Sequence, residues 1–449
     1  MKHLINKQVI ELNLNSKKDA IQWQTRMSQF YWNDILPALE QVFDELSLEG
    51  EIISVEKLEI DLGIIQPNEM EKGSLDVRFL EAIKQQLREQ LEKLKSSDKM
   101  IRPIEEKNKL NQQGQSTLVT RQTTALGISR QWFFYMKNGY LPWNAIQVNK
   151  QWFDKVLEAF ATDFTGITEL RLLIQQSAVL RKRIVLQHAE TFLVKLLEVL
   201  TARNQSAVIQ QIKQLLEIYQ QSSVPEIASI PLTEIKTLLW EKALLIAALN
   251  QETISVDQLS AALVDPDKKA DQEIDSTAAQ EPPESLFIEN AGLVLLHPFI
   301  SMFFQRLGLV KDGKFVGIYE RAKAMYLLHF LVTGNTVAEE YELVLQKMLC
   351  QWPTGEPVNK AVEILPEELE EAEDLLEAAI EKWAVLKNTN ADGLREGFLQ
   401  RKGKLFRKND KTYLAVGTSA IDVLLDHLPW NIGMVKLPWM QEILWVEWR

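Results

Sequence analysis

Twice along this chain the hydrophobic periodicity that builds helices and strands stops, and the two breaks dictate how many cores the sequence must form. Residues 96–124 are mostly polar and run through Asn111-Gln112-Gln113-Gly114-Gln115-Ser116. Residues 265–285 hold seven acids, two lysines and Pro282-Pro283. Stretches so poor in apolar surface cannot offset the entropy of ordering their backbone, so both read as linkers. They leave three segments, 1–95, 125–264 and 286–449, of a 449-residue chain. A single core usually stops growing at about 250–300 residues, so several domains are expected on size as well.

In the first segment, residues 7–14 and 52–62 alternate apolar and polar side chains, the pattern of strands. Between them Ala20, Trp23, Met27, Phe30, Tyr31, Ile35, Leu39, Val42, Phe43 and Leu46 recur at helical spacing, with Pro37 expected to break or kink the helix. A second amphipathic stretch covers 77–94, which makes a βαβα unit. The middle segment reads as consecutive helices at 128–137, 147–162, 166–202 with a break near 175–177, 205–221 and 232–263. The last segment predicts helices at 286–309, 318–333, 337–350 and 366–387, a hairpin turning at Asn409-Asp410, and a strand over 443–448. The expected fold class is mainly α with small β elements: a βαβα N-terminal unit, a helical middle and an α+β C-terminal domain.

The chain carries 50 Lys and Arg against 62 Asp and Glu, a net charge of −12 that opposes attraction to nucleic acid backbones and anionic membrane surfaces. Its one cysteine, Cys350, cannot form an internal disulfide. Together with a start that turns polar too soon for a secretory leader, this predicts a protein of a reducing interior. The most apolar stretch, 291–304, is interrupted by His297 and Pro298 and falls short of the ~20 residues a membrane helix needs, so a soluble protein is expected.

Residues that could carry chemistry do not assemble into a motif. Gly308 to Lys314 has the glycines and lysine of a phosphate-binding loop, yet Phe315 stands where a hydroxyl must meet magnesium. A helix cap at Gly308 followed by a Lys-Asp-Gly-Lys turn is the better account. Asn388 to Gly393 offers the early oxygens of a calcium loop, but its twelfth position is Leu399, so an Asx-rich turn between helices is expected. His188, His297, His329 and Cys350 fall at no spacing that converges on zinc. Cys350 with His329 is the one nucleophilic pair worth naming, and Cys350 follows the apolar face of Leu345, Met348 and Leu349, where a buried, inert thiol is expected. No catalytic, cofactor-binding or metal site is assigned, and the chain is not expected to be an enzyme.

Leu-Pro-Trp occurs three times, at 141–143, 428–430 and 437–439. Proline stops the helix and tryptophan supplies a large apolar surface with one N–H donor, so each copy can pin a turn or anchor a partner. Four of the twelve tryptophans, Trp430, Trp439, Trp445 and Trp448, lie in the last twenty residues. With Trp143 they are the candidate partner-facing residues. The apolar strand at 443–448 is expected to be covered on both sides or completed by a partner.

These turns sit among longer signatures: Phe133-Phe134-Tyr135-Met136-Lys137-Asn138-Gly139-Tyr140-Leu141-Pro142-Trp143, 289–299 (Glu-Asn-Ala-Gly-Leu-Val-Leu-Leu-His-Pro-Phe), 394–405 around Arg395-Glu396-Gly397-Phe398, the stretch 437–448, and Leu58-Glu59-Ile60-Asp61-Leu62-Gly63. In this combination and order the chain resembles the tape measure proteins of phage-tail-like contractile injection systems. The resemblance implies a bacterial structural protein that sets or supports inner-tube assembly at the hub or baseplate. Its partners would be inner tube, hub, spike or baseplate subunits, and it would be cytoplasmic during assembly or inside the inner tube. Two other readings stay open. A molecular ruler spans about 1.5 Å per helical residue only if its helix is long and continuous, whereas this chain reads as short helices, which suits a globular assembly chaperone. An enzyme whose site gathers residues distant in sequence is the third.

Overall fold

The computed structural model describes the chain apart from residues 1, 2, 6, 12, 15–19, 47–50, 56, 60–80, 82, 83, 87, 90–118, 146, 147, 150, 222–230, 251, 265–284, 387 and 449. Most of both expected linkers, and part of the predicted helix at 77–94, lie outside the described residues. The fold is mainly α with small β elements, and the chain divides into two compact units, Met1–Gly127 and Ile128–Arg449.

In the first unit, helices α1 (Ala20–Phe30) and α2 (Leu36–Leu46) are joined by a π turn, Tyr31–Ile35. Pro37 explains the turn. It has no N–H for the carbonyl of Asn33 and its ring would clash there, and the helix responds one residue earlier, where the Leu36 N–H bonds to the carbonyl of Tyr31. Met27, Phe30, Ile35, Ala38, Leu39 and Val42 form the buried stripe. Strand β1 (Glu51–Val55) is shorter than the alternating stretch 52–62 suggests, and pairs antiparallel with β2 (Val119–Thr123), Glu51 opposite Thr123. The expected strand at 7–14 does not form among its described residues, which are irregular and exposed. Its partner role is taken by Val119-Thr120-Arg121-Gln122-Thr123, polar in composition but rich in the β-branched residues that suit a ladder.

The second unit holds two hydrophobic cores. The first is built by α3 (Thr124–Asn138), α4 (Trp152–Thr162), α5 (Phe164–Gln176), α6 (Ala178–Gln187), α7 (Glu190–Thr201), α8 (Val208–Gln221), α9 (Leu232–Asn250) and α10 (Val256–Val264). α9 is apolar around much of its circumference and packs against α5, α6, α7, α8 and α10, with Leu239, Trp240, Ala243, Leu244 and Ala247 fully buried. The break predicted near 175–177 is the start of α6, where the Ser177 hydroxyl accepts the Leu180 N–H at 3.1 Å.

The second core opens with strand β3 (Ser285–Ile288) and a 3-10 turn, Ala291–Leu296, before α11 (His297–Arg306). A helix was expected to begin at 286; a short apolar run does not distinguish helix from strand, and here β6 supplies a ladder partner. α12 (Ile318–Thr333) is buried without interruption from Ala322 to Val332 and forms the core's axis. Around it lie α13 (Val344–Leu349), α14 (Pro366–Lys382) and α15 (Ala391–Leu394). β4 (Val310–Lys311) and β5 (Lys314–Phe315) make a hairpin across Asp312-Gly313. β6 (Gly403–Lys408) and β7 (Lys411–Val416) make another across Asn409-Asp410, both at positive φ as a two-residue turn requires. With β8 (Met434–Val435) and β9 (Leu444–Glu447) the five-stranded order is β3-β6-β7-β9-β8. β9 is therefore paired on both edges within the chain, parallel to β7 and antiparallel to β8.

Candidate functional site

Among His188, His297, His329 and Cys350, the residues singled out for chemistry, no hydrogen bond joins one to another. Cys350 is fully buried, and burial pushes its thiol pKa well up. His329 is buried on α12, and burial lowers its imidazole to about 4. The Nε2–H of His297 donates to the carbonyl of Asn431 at 2.8 Å, and its pKa is lowered by burial. His188 lies between the rings of Phe192 and Phe153, at 4.1 and 4.6 Å. Its Nδ1–H donates to the carbonyl of Ile184 at 2.9 Å, and its Nε2 accepts the indole N–H of Trp132 at 3.1 Å. Burial lowers it to about 3, because a second proton would have to point at that indole N–H. Among the described residues no group of three or more His, Cys, Asp and Glu could hold a metal ion. The Gly308–Lys314 stretch is the helix cap and β4–β5 hairpin, and Asn390 caps α15 by accepting the Gly393 N–H at 2.8 Å.

One polar cluster joins the two cores of the second unit. Arg183 of α6, with no exposed side-chain surface, donates to Glu340 at 3.0 Å and to the carbonyls of Met136, at 2.5 Å, and Gly355. Lys347 of α13 meets the other oxygen of Glu340 and the carbonyls of Thr354 and Glu356, at 3.1 and 2.8 Å. Burial draws its ammonium down to about 8 against the pull of Glu340. Beside it Gln187 donates to the carbonyl of Val358 at 2.7 Å. Gly139, at φ +81, seals the cluster: a Cβ there would lie 2.6 Å from Glu340 Oε1 and 3.0 Å from the carbonyl of Thr354. Two cations facing one carboxylate, with their remaining donors on carbonyls, make a register-fixing joint in which no partner can be removed cheaply.

The other signature stretches are likewise spent on one another. Gly292 lies so close to the turn at Phe398 that a Cβ would sit 1.8 Å from its carbonyl oxygen. Ala291 N–H donates to the carbonyl of Arg401 at 2.8 Å, and Asn290 ties in Glu342 and Gln346 at 2.8 and 3.0 Å. Arg395 bonds the carbonyl of Leu331 at 3.2 Å, pairs with Asp392 and Glu373, and covers the ring of Phe330.

The five tryptophans do not form one surface. Trp430 donates to the carbonyl of Leu295 at 2.9 Å and meets Phe299 edge-on; Trp439 donates to the carbonyl of Leu349 at 2.7 Å and stacks on Phe304. Trp448 is buried in the second core. Trp143 is 45% exposed at the turn after α3. Trp445 faces outward from β9, in a row that reads Phe406, Tyr413, Trp445, Met434 across four strands. Phe406 and Tyr413 stack at 5.4 Å, and the Lys411 ammonium lies over the Trp445 ring at 5.0 Å. Sequence reasoning passed over this face, although Arg401-Lys402-Gly403-Lys404-Leu405-Phe406-Arg407-Lys408 is a basic run in an acidic chain. The Arg183–Glu340–Lys347 cluster carries no sequence signal beyond Gly139.

No described helix is long and apolar enough to cross a membrane. Comparison with curated proteins and with solved structures gives no match. The sequence does match the model of one family over residues 2–448, nearly its whole length, and the chain belongs to that family, the contractile injection system tape measure proteins.

Proposed function

We propose that this chain is a non-catalytic assembly component of a contractile injection system, acting on inner-tube assembly at the hub or baseplate through contacts with tube, hub, spike or baseplate subunits. The observation that carries the reading is the family match over residues 2–448. The use of the signature residues agrees with it: Gly139, Gly292, Arg395, Trp430 and Trp439 hold the fold and its internal joint rather than lining a reactive cleft. The family name suggests a ruler, but the longest described helix, Leu232–Asn250, has 19 residues, which at about 1.5 Å per residue spans only ~30 Å. The folded chain therefore suits a globular assembly factor better than an extended gauge, working in the cytoplasm while the tube is built.

Deleting the gene and imaging particles by electron microscopy tests the role, with loss of complete particles expected. Removing residues 98–112 separates the two modes. A ruler gives proportionately shorter tubes, whereas an assembly factor gives normal lengths at altered yield. Normal particle numbers and lengths after gene deletion would end the proposal.

A further inference from the structure

The five-stranded sheet has one face in the core and one turned outward. Leu405, Leu414, Leu444, Val446 and Val435 are buried on the inner face. Strict alternation then places Lys404, Phe406 and Lys408 of β6, Lys411 and Tyr413 of β7, and Trp445 of β9 together on the outer face. The face is a row of aromatic rings with lysines on its margins. Lys404 covers the half-exposed ring of Phe287 at 5.4 Å, and Lys411 covers Trp445 at 5.0 Å. In both contacts the ammonium nitrogen itself lies over the ring, so the two cations are held on the outer face by cation–π attraction.

Two features of this face are unexplained by folding. Lys408 stands directly opposite Lys411 across the ladder, a like-charge pair that weakens a hairpin. Among the described residues, none of Lys404, Lys408 and Lys411 has a carboxylate within salt-bridge distance. The acids nearby are Glu447, whose neighbour in register is Ala415, and Asp410 in the turn. A concentration of cations without carboxylate partners around half-buried rings, in a chain of net charge −12, breaks local rules where the rest of the fold keeps them, as functional surfaces do.

We propose that this outer sheet face is a docking surface for an acidic, extended segment of a partner protein, with alternate carboxylates meeting Lys404, Lys408 and Lys411 and its apolar side chains covering Phe406, Tyr413 and Trp445. Charge complementarity selects the occupant. A segment with a few carboxylates feels mainly the cations within a Debye length, about 8 Å at physiological salt, whereas a long polyanion such as nucleic acid also meets the field of the acidic remainder. The inference rests on reading the chain as an assembly component and supplies the chemistry of one of its contacts.

Binding of a fluorescein-labelled ten-residue peptide of alternating Glu and Leu to the full-length chain, followed by anisotropy, tests it. The expected result is saturable binding that weakens with added salt and falls at least about tenfold, ~1.4 kcal/mol, in the double variant Lys404→Glu, Lys411→Glu. If charge reversal lowers the thermal midpoint, Lys404→Gln with Lys411→Gln gives the same comparison. No saturable binding, equal binding of a Lys-Leu peptide, insensitivity to both double variants, or tighter binding of a ten-residue oligothymidylate would each overturn the proposal. These outcomes are independent of particle counts after gene deletion, so failure of the docking face and failure of the assembly role are separately visible.

Discussion

Replacing His188 by Gln should remove an acid-sensitive element from the first core of the second unit. In the fold both ring nitrogens are satisfied only when the imidazole is neutral, with Nδ1–H on the carbonyl of Ile184 and Nε2 accepting from Trp132. Burial holds the folded pKa at about 3 against an unfolded value of 6.5. Below pH 6.5 the unfolded chain takes up a proton that the folded chain refuses, so stability present above 6.5 drains away until the pH nears 3. Between pH 7 and pH 5 this one group removes about 2 kcal/mol, from roughly 1.36 kcal/mol per unit of pKa difference exposed. His329, at about 4, adds to the loss. Glu241 opposes it: burial raises its carboxyl to about 7, so the folded chain binds that proton more readily as the pH falls. Comparison with the His188→Gln variant cancels both. Urea denaturation followed by circular dichroism at pH 7 and pH 5 should show the gap between wild type and variant narrowing by about 2 kcal/mol. A gap that does not change would mean that His188 titrates normally in the fold, and the reasoning from its two hydrogen bonds would be wrong.

Glu340→Ala should cost about 3–5 kcal/mol in urea denaturation, because it leaves Arg183 and Lys347 buried without their shared counter-charge. Gly292→Ala should lower the thermal midpoint, at a cost of roughly 1–3 kcal/mol or more, since the backbone at Phe398 must move. Gly397→Ala, whose Cβ would meet only Ile421 Cδ1 at 3.4 Å, should be near neutral in the same measurement. Trp439→Ala, which loses a stacked ring and the bond to Leu349, should cost about 3–5 kcal/mol, whereas Trp143→Ala at its exposed turn should cost under about 1 kcal/mol by chemical denaturation.

The helical plan was legible because long amphipathic stretches such as those of α4, α8 and α14 state their period directly, and because Asn409-Asp410 and Ser177 are local signals with local causes. What stayed hidden depended on distant partners. Whether 7–14 or 119–123 pairs with β1, and whether 286–288 is strand or helix, is decided by which ladder is on offer. The basic-aromatic face could have been read from 401–413 only by knowing that β6, β7 and β9 lie side by side. Nothing in the sequence near Arg183, Glu340 or Lys347 announces that these charges are buried together. The signature glycines 139 and 292 were visible as residues, but the close approaches that require them were not.

The position of β9 bears on how this protein is made. β3, β6 and β7 are synthesised in an order that lets them pair early, yet β7 has no partner on its other edge until residues 444–447 emerge and slot in parallel to it. β8, made before β9, has no ladder of its own to join in the meantime. A chain truncated between 416 and 444 and released from the ribosome thus displays an open edge with Tyr413 on one side and Leu414 on the other, a ready template for pairing with a second truncated copy. Premature termination in that window should therefore raise aggregation in the producing cell, and chaperones that mask strand edges should suppress it.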